Sequence, residues 1–131
     1  MGTLEIRFAT GTGRGEPLFE PGVLLGHFSH VESVLRPPEG ATVLARTRLD
    51  PHSVIAYGPR QWGVQFHPEF DREIMQRYVE VRREVLAAEG LDPDALHARA
   101  VETPRLGAVL RRFAGLLGPA GAAIEREPAG A

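Results

Sequence analysis

Cysteine is absent from this sequence of 131 residues. A chain without cysteine contains no disulfide, no thiolate metal site and no cysteine nucleophile of its own. The sequence also lacks an apolar run of about 18 residues, the length that predicts a membrane-spanning helix. Residues 1–10 lack the basic and apolar segments of a signal peptide. These absences predict a cytoplasmic protein without a membrane partner.

Basic residues are not in excess. The chain has 15 Lys and Arg against 17 Asp and Glu, a formal net charge of −2 at pH 7. A balance of this kind does not favour a nucleic-acid partner. The length and the 43% hydrophobic content predict one domain with a real core. We place this domain at residues 1–117 and predict that the Gly/Ala/Pro-rich residues 118–131 form a disordered tail.

The hydrophobic pattern predicts strands first and helices afterwards. Helical periodicity and capping residues predict a long helix over 71–89, a second from Asp92-Pro93 and a third from Thr103-Pro104. One or two helical turns are expected over 30–35, and a turn is expected over 11–15. This order predicts an α/β or α+β domain with its helices gathered at one end of the chain. The predicted strands are 4–8, 23–28, 41–47, 53–57 and 62–67, the last two forming an antiparallel hairpin.

The stretch WGVQFHPEF, residues 62–70, ends an apolar strand in His67 and Glu69 with Pro68 between them. Positions i and i+2 of an extended segment face the same way, and proline fixes one backbone torsion. A carboxylate bonded to one ring nitrogen of a histidine fixes the tautomer and leaves the other nitrogen as a base. The plainer interpretation is a packed histidine at a strand end and a glutamate that complements a helix N-terminus.

A second histidine pair, His27 and His30, has a spacing that can bind zinc. On a strand, however, this spacing points the two rings to opposite faces, and no further ligand cluster accompanies them. We therefore predict no metal site and no cofactor.

Several segments together resemble class I glutamine amidotransferases, of the stand-alone type that is similar to GMP synthase. The resemblance implies a three-layer α/β sandwich with a mostly parallel sheet, and hydrolysis of the glutamine amide with transfer of ammonia. It implies that His67 is the general base and acid and that Glu69 orients it. It further implies that the backbone of His30, Val31 and Glu32 approaches the amino-acid end of glutamine. The segments that carry it are WGVQFHPEF (62–70), SHVESVL (29–35), PEGATVLA (38–45), SVIAYG (53–58), PLF (17–19), Gly2-Thr3 and EGLDP (89–93).

This chain departs from the family pattern in one respect. The family nucleophile is a cysteine in a G-x-C-x-G elbow ahead of the segment that Gly2-Thr3 resembles. We therefore expect the chain to match only the C-terminal half of the domain, with the leading strands of the sheet, the cysteine and the oxyanion loop missing. Losing such groups costs on the order of 10⁴–10⁶ in rate, so we expect no activity from this chain alone.

Three interpretations stay open. The chain is a truncated amidotransferase, or it is a non-catalytic binding or regulatory module that forms homo-oligomers or joins a complementing chain as one half of a split enzyme. The third is a different hydrolase that uses His67 and Glu69 with a metal or water.

Overall fold

The computed structural model describes residues 1–10 and 15–118. Five strands precede four helices, as the sequence pattern predicts for the order of the two kinds of element. None of the helices described is long and apolar enough to cross a membrane. The strands are β1 (Gly2–Phe8), β2 (Gly22–Phe28), β3 (Thr42–Arg46), β4 (Val54–Gly58) and β5 (Gln61–Val64), and the helices are α1 (Arg72–Val81), α2 (Arg83–Ala88), α3 (Pro93–Ala98) and α4 (Pro104–Leu116).

The strands form one sheet in the order β2-β1-β3-β4-β5. All four pairings between these strands are antiparallel, including the predicted β4–β5 hairpin. The mostly parallel sheet implied by the family resemblance is thus not found in the described residues. Parallel neighbours need crossover connections of a dozen or more residues, usually with a helix, and no helix is described between β1 and β5. The α/β class itself is confirmed, since α3 contacts β1 and α4 contacts β2 of the sheet.

The sheet curls until its two ends meet. The longest pairing joins β1 to β2, from Gly2 opposite Phe28 to Phe8 opposite Gly22. At the opposite edge, the chain beyond β5 leaves β4 and forms an antiparallel bridge from Phe66 to Phe28. The concave face encloses the main core, which α4 covers with Leu106 and Val109. The other buried members of this core are Ile6, Phe8, Leu18, Phe19, Leu24, Phe28, Leu44, Ala45, Val54 and Phe66.

The helices α1 to α3 form a second, smaller core that is separate from the main core. Met75, Val79, Leu86 and Ala100 are buried there, and Met1, Phe70 and Leu96 pack against them. The predicted caps are confirmed for two helices. Asp71 accepts a hydrogen bond from the Ile74 N–H at the start of α1, and Asp92 accepts from two backbone N–H groups at the start of α3.

Two predictions of helix and loop structure differ from the observed chain, and two others fall largely outside the described residues. The helix expected over 71–89 is interrupted at Arg82, whose backbone leaves helical values (φ −102°, ψ 12°) while its guanidinium lies over the Tyr78 ring. Residues 30–35 contain no helical turn, because His30 and His52 hold backbone carbonyls of that segment in an extended loop. The turn predicted over 11–15 and the tail predicted over 118–131 lie outside the described residues, except Gly15 and Gly118.

Gly26 marks the closest approach of α4 to the sheet. A Cβ atom at this position would lie 2.6 Å from Leu106 Cδ1 and 2.7 Å from Ile6 Cδ1. Both neighbours are buried in the main core, so neither has room to move away. We expect Gly26→Ala to lower the free energy of unfolding by about 1–3 kcal/mol, the usual cost of overpacking, when it is measured by chemical denaturation.

Gly115→Ala is the matched control, because a Cβ there meets nothing within 4 Å and the position is helical. Removal of a helical glycine at an open position stabilises by about 0.5–1 kcal/mol. Equal effects of the two substitutions would contradict the close approach at Gly26.

Candidate functional site

His67 stands where the edges of the curled sheet meet. Gln65 donates its N–H to the Ser53 carbonyl, so this part of the chain is still held by β4. Phe66 then bridges Phe28, and the His67 N–H donates to the carbonyl of His27 over 2.8 Å. The strand β2 therefore holds the backbone of His67 directly, Ser53 just ahead of β4 holds the chain two residues earlier, and α1 starts five residues later. The predicted strand ended at His67, whereas β5 ends at Val64 and an isolated bridge at Phe66 precedes the histidine.

His67 and Glu69 form a hydrogen-bonded pair. The Nδ1–H of His67 donates to Glu69 Oε1 over 2.7 Å, a short distance for a bond to a carboxylate. The side chains are 33% and 55% exposed, so both remain reachable from solvent. No group of the described residues forms a hydrogen bond with Nε2 of this ring. The pair thus presents a fixed tautomer whose free nitrogen is able to accept a proton.

The electrostatics of Glu69 reflect this pairing. Partial burial raises the pKa of its carboxyl group, but the hydrogen bond from His67 and a backbone hydrogen bond lower it. The lowering contributions are larger together, so the pKa of Glu69 lies below its ordinary value. Glu69 is therefore ionised at neutral pH, as a carboxylate that supports an imidazolium must be.

Two surfaces surround the pair. The ring of Phe70 stacks on the imidazole of His67, with centroids 4.2 Å apart and planes 16° from parallel. A cavity of about 170 Å³ adjoins Glu69, and His67 is not part of its lining. It is formed by Pro68, Glu69, Phe70 and Asp71 together with Glu102, Thr103, Pro104 and Gly107.

The other predicted site residues lie in the loop after β2. The Nδ1–H of His30 donates to the Glu32 carbonyl over 2.7 Å, and Val31 is 87% exposed. This loop starts beside the dyad, since its neighbour Phe28 bridges Phe66. His30, Val31 and Glu32 nevertheless form no hydrogen bond with His67 or Glu69 in the described part of the chain. Their contact with a substrate stays a prediction.

His27 is a residue whose importance the sequence did not reveal. Its side chain is fully buried on the face of the sheet opposite the main core, and Nδ1 is 3.0 Å from Thr3 Oγ1, its cross-strand partner. Nε2 forms no hydrogen bond of good geometry. Burial lowers the pKa of His27, although the nearby Val101 backbone, Glu102 and Asp71 oppose the shift. Period-two alternation places His27 on the strand face opposite Phe28, but it does not identify the segments at Asp71 and Val101 that lie near the ring.

Comparison with known proteins supports the family resemblance over part of the chain. No model of a known protein family matches. The sequence is 55% identical over 42 residues to the glutamine-hydrolysing GMP synthase of Gloeobacter violaceus, covering 31% of this chain and 8% of that protein. It is 45% identical over 58 residues to the glutamine-hydrolysing GMP synthase of Aeropyrum pernix, covering 44% of this chain and 10% of that protein.

Two solved structures share the fold. A glutamine amidotransferase from Thermotoga maritima superposes with a TM-score of 0.68 at 23% identity, covering 89% of this chain and 50% of that chain. The protein SMU.1228c gives the same TM-score at 19% identity, with coverages of 91% and 52%. The chain thus spans about half the length of these structures, and its matched segments cover about a tenth of the two synthases. The resemblance to class I glutamine amidotransferases is confirmed within those limits.

Burial of His27 predicts an acid-sensitive fold. Below its ordinary pKa of 6.5 the unfolded chain binds a proton at this ring, whereas the folded chain, with its lowered pKa, does not. The free energy of unfolding should therefore fall as the pH drops below 6.5, by up to about 1.4 kcal/mol per pH unit from this one group. Denaturation curves between pH 7.5 and 5.5 measure this slope.

His27→Met places an apolar side chain that cannot bind a proton at the site. It should flatten the dependence of the free energy of unfolding on pH, whatever its effect on stability at neutral pH. Val81→Met, at an exposed position of α1, changes no titratable group and is the control that should leave the slope unchanged. A His27→Met slope as steep as that of the original chain would rule out this origin of the acid sensitivity.

Proposed function

We propose that this chain supplies the base half of a glutamine-hydrolysing centre of the amidotransferase type. His67 is the general base and acid, and Glu69 holds its ring. The observation that carries the proposal is the 2.7 Å bond from His67 Nδ1 to Glu69 Oε1 at the meeting point of two strands. The amidotransferase fold and the local sequence identity to glutamine-hydrolysing enzymes support it.

The chemistry follows from the orientation of the ring. Because Nδ1 carries the proton bonded to Glu69, the lone pair of Nε2 is available to remove a proton from a thiol. The thiolate attacks the amide carbon of glutamine, and the imidazolium returns the proton to the departing nitrogen, which leaves as ammonia. Water then cleaves the thioester. Glu69 stabilises the imidazolium between the two proton transfers.

The thiol has to come from outside these 131 residues, because the sequence contains no cysteine. In a triad that acts as a unit, loss of the nucleophile removes on the order of 10⁴–10⁶ of the rate. The donors that stabilise the oxyanion are also required for a fast reaction. The chain by itself is therefore proposed to be inactive, and its loop at His30, Val31 and Glu32 is proposed to contact glutamine only in the completed centre.

A complementation assay tests this proposal. The purified chain alone should release no ammonia from glutamine above the buffer background. The half of the Thermotoga maritima amidotransferase that this chain does not match, co-expressed as a second polypeptide, should restore release by supplying the cysteine elbow of the family pattern. In that complex His67→Gln should lower the rate by roughly 10⁴-fold or more.

Glu69→Gln should lower the restored rate less than His67→Gln, because it removes only the group that orients the base. His97→Gln, which lies on α3, is the control and should leave the rate unchanged. Turnover of glutamine by the chain alone, or a complex that is indifferent to His67→Gln, would contradict the proposal.

A second candidate is a non-catalytic binding or regulatory module that pairs through its apolar surface. The loop after β2 exposes Val31 by 87% and Leu35 by 92%, unusual values for large apolar side chains close to each other. The sheet also has β2 and β5 as its terminal strands, joined to each other only through the bridge at Phe28, and the rest of a strand edge that stays unpaired is a template for association. The same surfaces suit one half of a split amidotransferase.

Light scattering on the pure chain distinguishes this candidate. We expect a dimer or larger species at micromolar concentration, and Leu35→Ser should shift it toward the monomer because it removes an exposed apolar contact. Leu117→Ser, at an equally apolar but separate exposed position, is the control. A monomer at all concentrations would eliminate self-association by this loop.

A further inference from the structure

The imidazole of His67 has a second neighbour besides Glu69. The Phe70 N–H donates to the His67 carbonyl over 3.3 Å, which closes a turn through Pro68 and Glu69. This turn brings the Phe70 ring back onto the imidazole, nearly parallel and 4.2 Å between centroids. Glu69 thus contacts the edge of the imidazole, and Phe70 contacts its face.

Phe70 is itself held by the helices. Its side chain packs against the smaller core formed by Met75, Val79, Leu86 and Ala100. Its ring centroid also lies 5.6 Å from that of Tyr78, with the planes tilted by 52°, and the Arg82 guanidinium lies over the Tyr78 ring at 5.7 Å from its centroid. A row of four groups in contact therefore runs from the break between α1 and α2 to the histidine.

The hydrogen bond alone does not hold the ring. Glu69 is 55% exposed, so water competes for its carboxylate, and exposed ion pairs contribute little. One hydrogen bond at Nδ1 also leaves the imidazole free to tilt about that bond. A flat ring against the imidazole face removes this freedom, and its electron-rich surface favours the positive charge that the imidazole carries after accepting a proton.

We propose that Phe70 is a positioning residue for His67, through which the α1–α3 cluster holds the imidazole in the plane that bonds Glu69. This inference rests on the proposed function for the role of His67. It assigns to the helical cluster a part in the active centre, although none of the buried residues of that cluster belongs to the dyad.

NMR titration of three variants tests this role without any turnover. In Phe70→Leu the His67 bond should be populated less, so the pKa of Glu69 should rise toward its ordinary value of 4.5. The ring ¹⁵N shifts of His67 should report a ratio of bonded to free imidazole reduced roughly 2- to 10-fold, the effect expected from losing an aromatic pair. Phe70→Tyr keeps the stack and should restore both readouts.

The control is Phe8→Leu, which removes the stacked pair of Phe8 and Phe19 in the main core, 5.3 Å between centroids. It should lower stability without moving the Glu69 titration or the His67 shifts. If Phe70→Leu does not fold, Phe70→Met is the second variant, because it keeps an apolar side chain without a flat ring, and the same two changes are expected.

Unchanged readouts in a folded Phe70→Leu or Phe70→Met protein would overturn the proposal and leave Phe70 as a packing residue. The two proposals fail separately. A complementation assay without ammonia release would contradict the proposed hydrolytic function. The titration of Glu69 involves neither glutamine nor a thiol, so its result does not depend on that function.

Discussion

One backbone hydrogen bond, from the His67 N–H to the His27 carbonyl, joins the two ends of this structure. It fastens the chain beyond β5 to the far edge strand β2, next to the bridge between Phe66 and Phe28. Without these contacts the sheet would be an open antiparallel sheet with two free edges. With them, the sheet curls around an aromatic interior, and the pair formed by His67 and Glu69 lies at the seam, the line where the two edges of the sheet meet. The position of His67 is thus set by closure of the sheet.

The two cores meet at this seam from opposite sides. Phe66 belongs to the main core and contacts Phe19 and Phe28 in edge-on geometry, whereas Phe70 belongs to the smaller helical core. His67 and Glu69 lie between these two phenylalanines in the sequence. Close-packed interiors leave little room for a side chain to shift. Each core therefore restrains one end of the segment that carries His67 and Glu69. That arrangement explains how a partly exposed pair keeps a 2.7 Å bond.

The two histidines at the seam differ in their electrostatic surroundings. His27 is fully buried, and its burial favours the neutral ring, whereas His67 is accessible and faces an ionised carboxylate. The buried ring is suited to packing and to a bond with Thr3, and the accessible ring is suited to proton transfer. The difference arises from position on the sheet, since the two residues share one backbone hydrogen bond.

Much of this protein follows from local sequence. Five strand segments, the caps at Asp71 and Asp92 and the proximity of His67 to Glu69 were predicted, because each depends on residues a few positions apart. The helix over 71–89 was predicted as continuous and is broken at Arg82. The guanidinium of Arg82 lies over the Tyr78 ring and its backbone leaves helical values, which hydrophobic periodicity does not describe. The antiparallel order of the sheet also differs from the parallel sheet that the family resemblance implied.

The sequence by itself therefore determined which segments are strands and helices, and which base and carboxylate lie side by side. Only the tertiary structure decided that His27 is buried, that Phe28 meets Phe66 and that the Phe70 ring covers the imidazole. The physical reason is range. Alternation, caps and a proline between two side chains act over a few residues, whereas closure of the sheet and packing of the helical core join residues far apart in the chain.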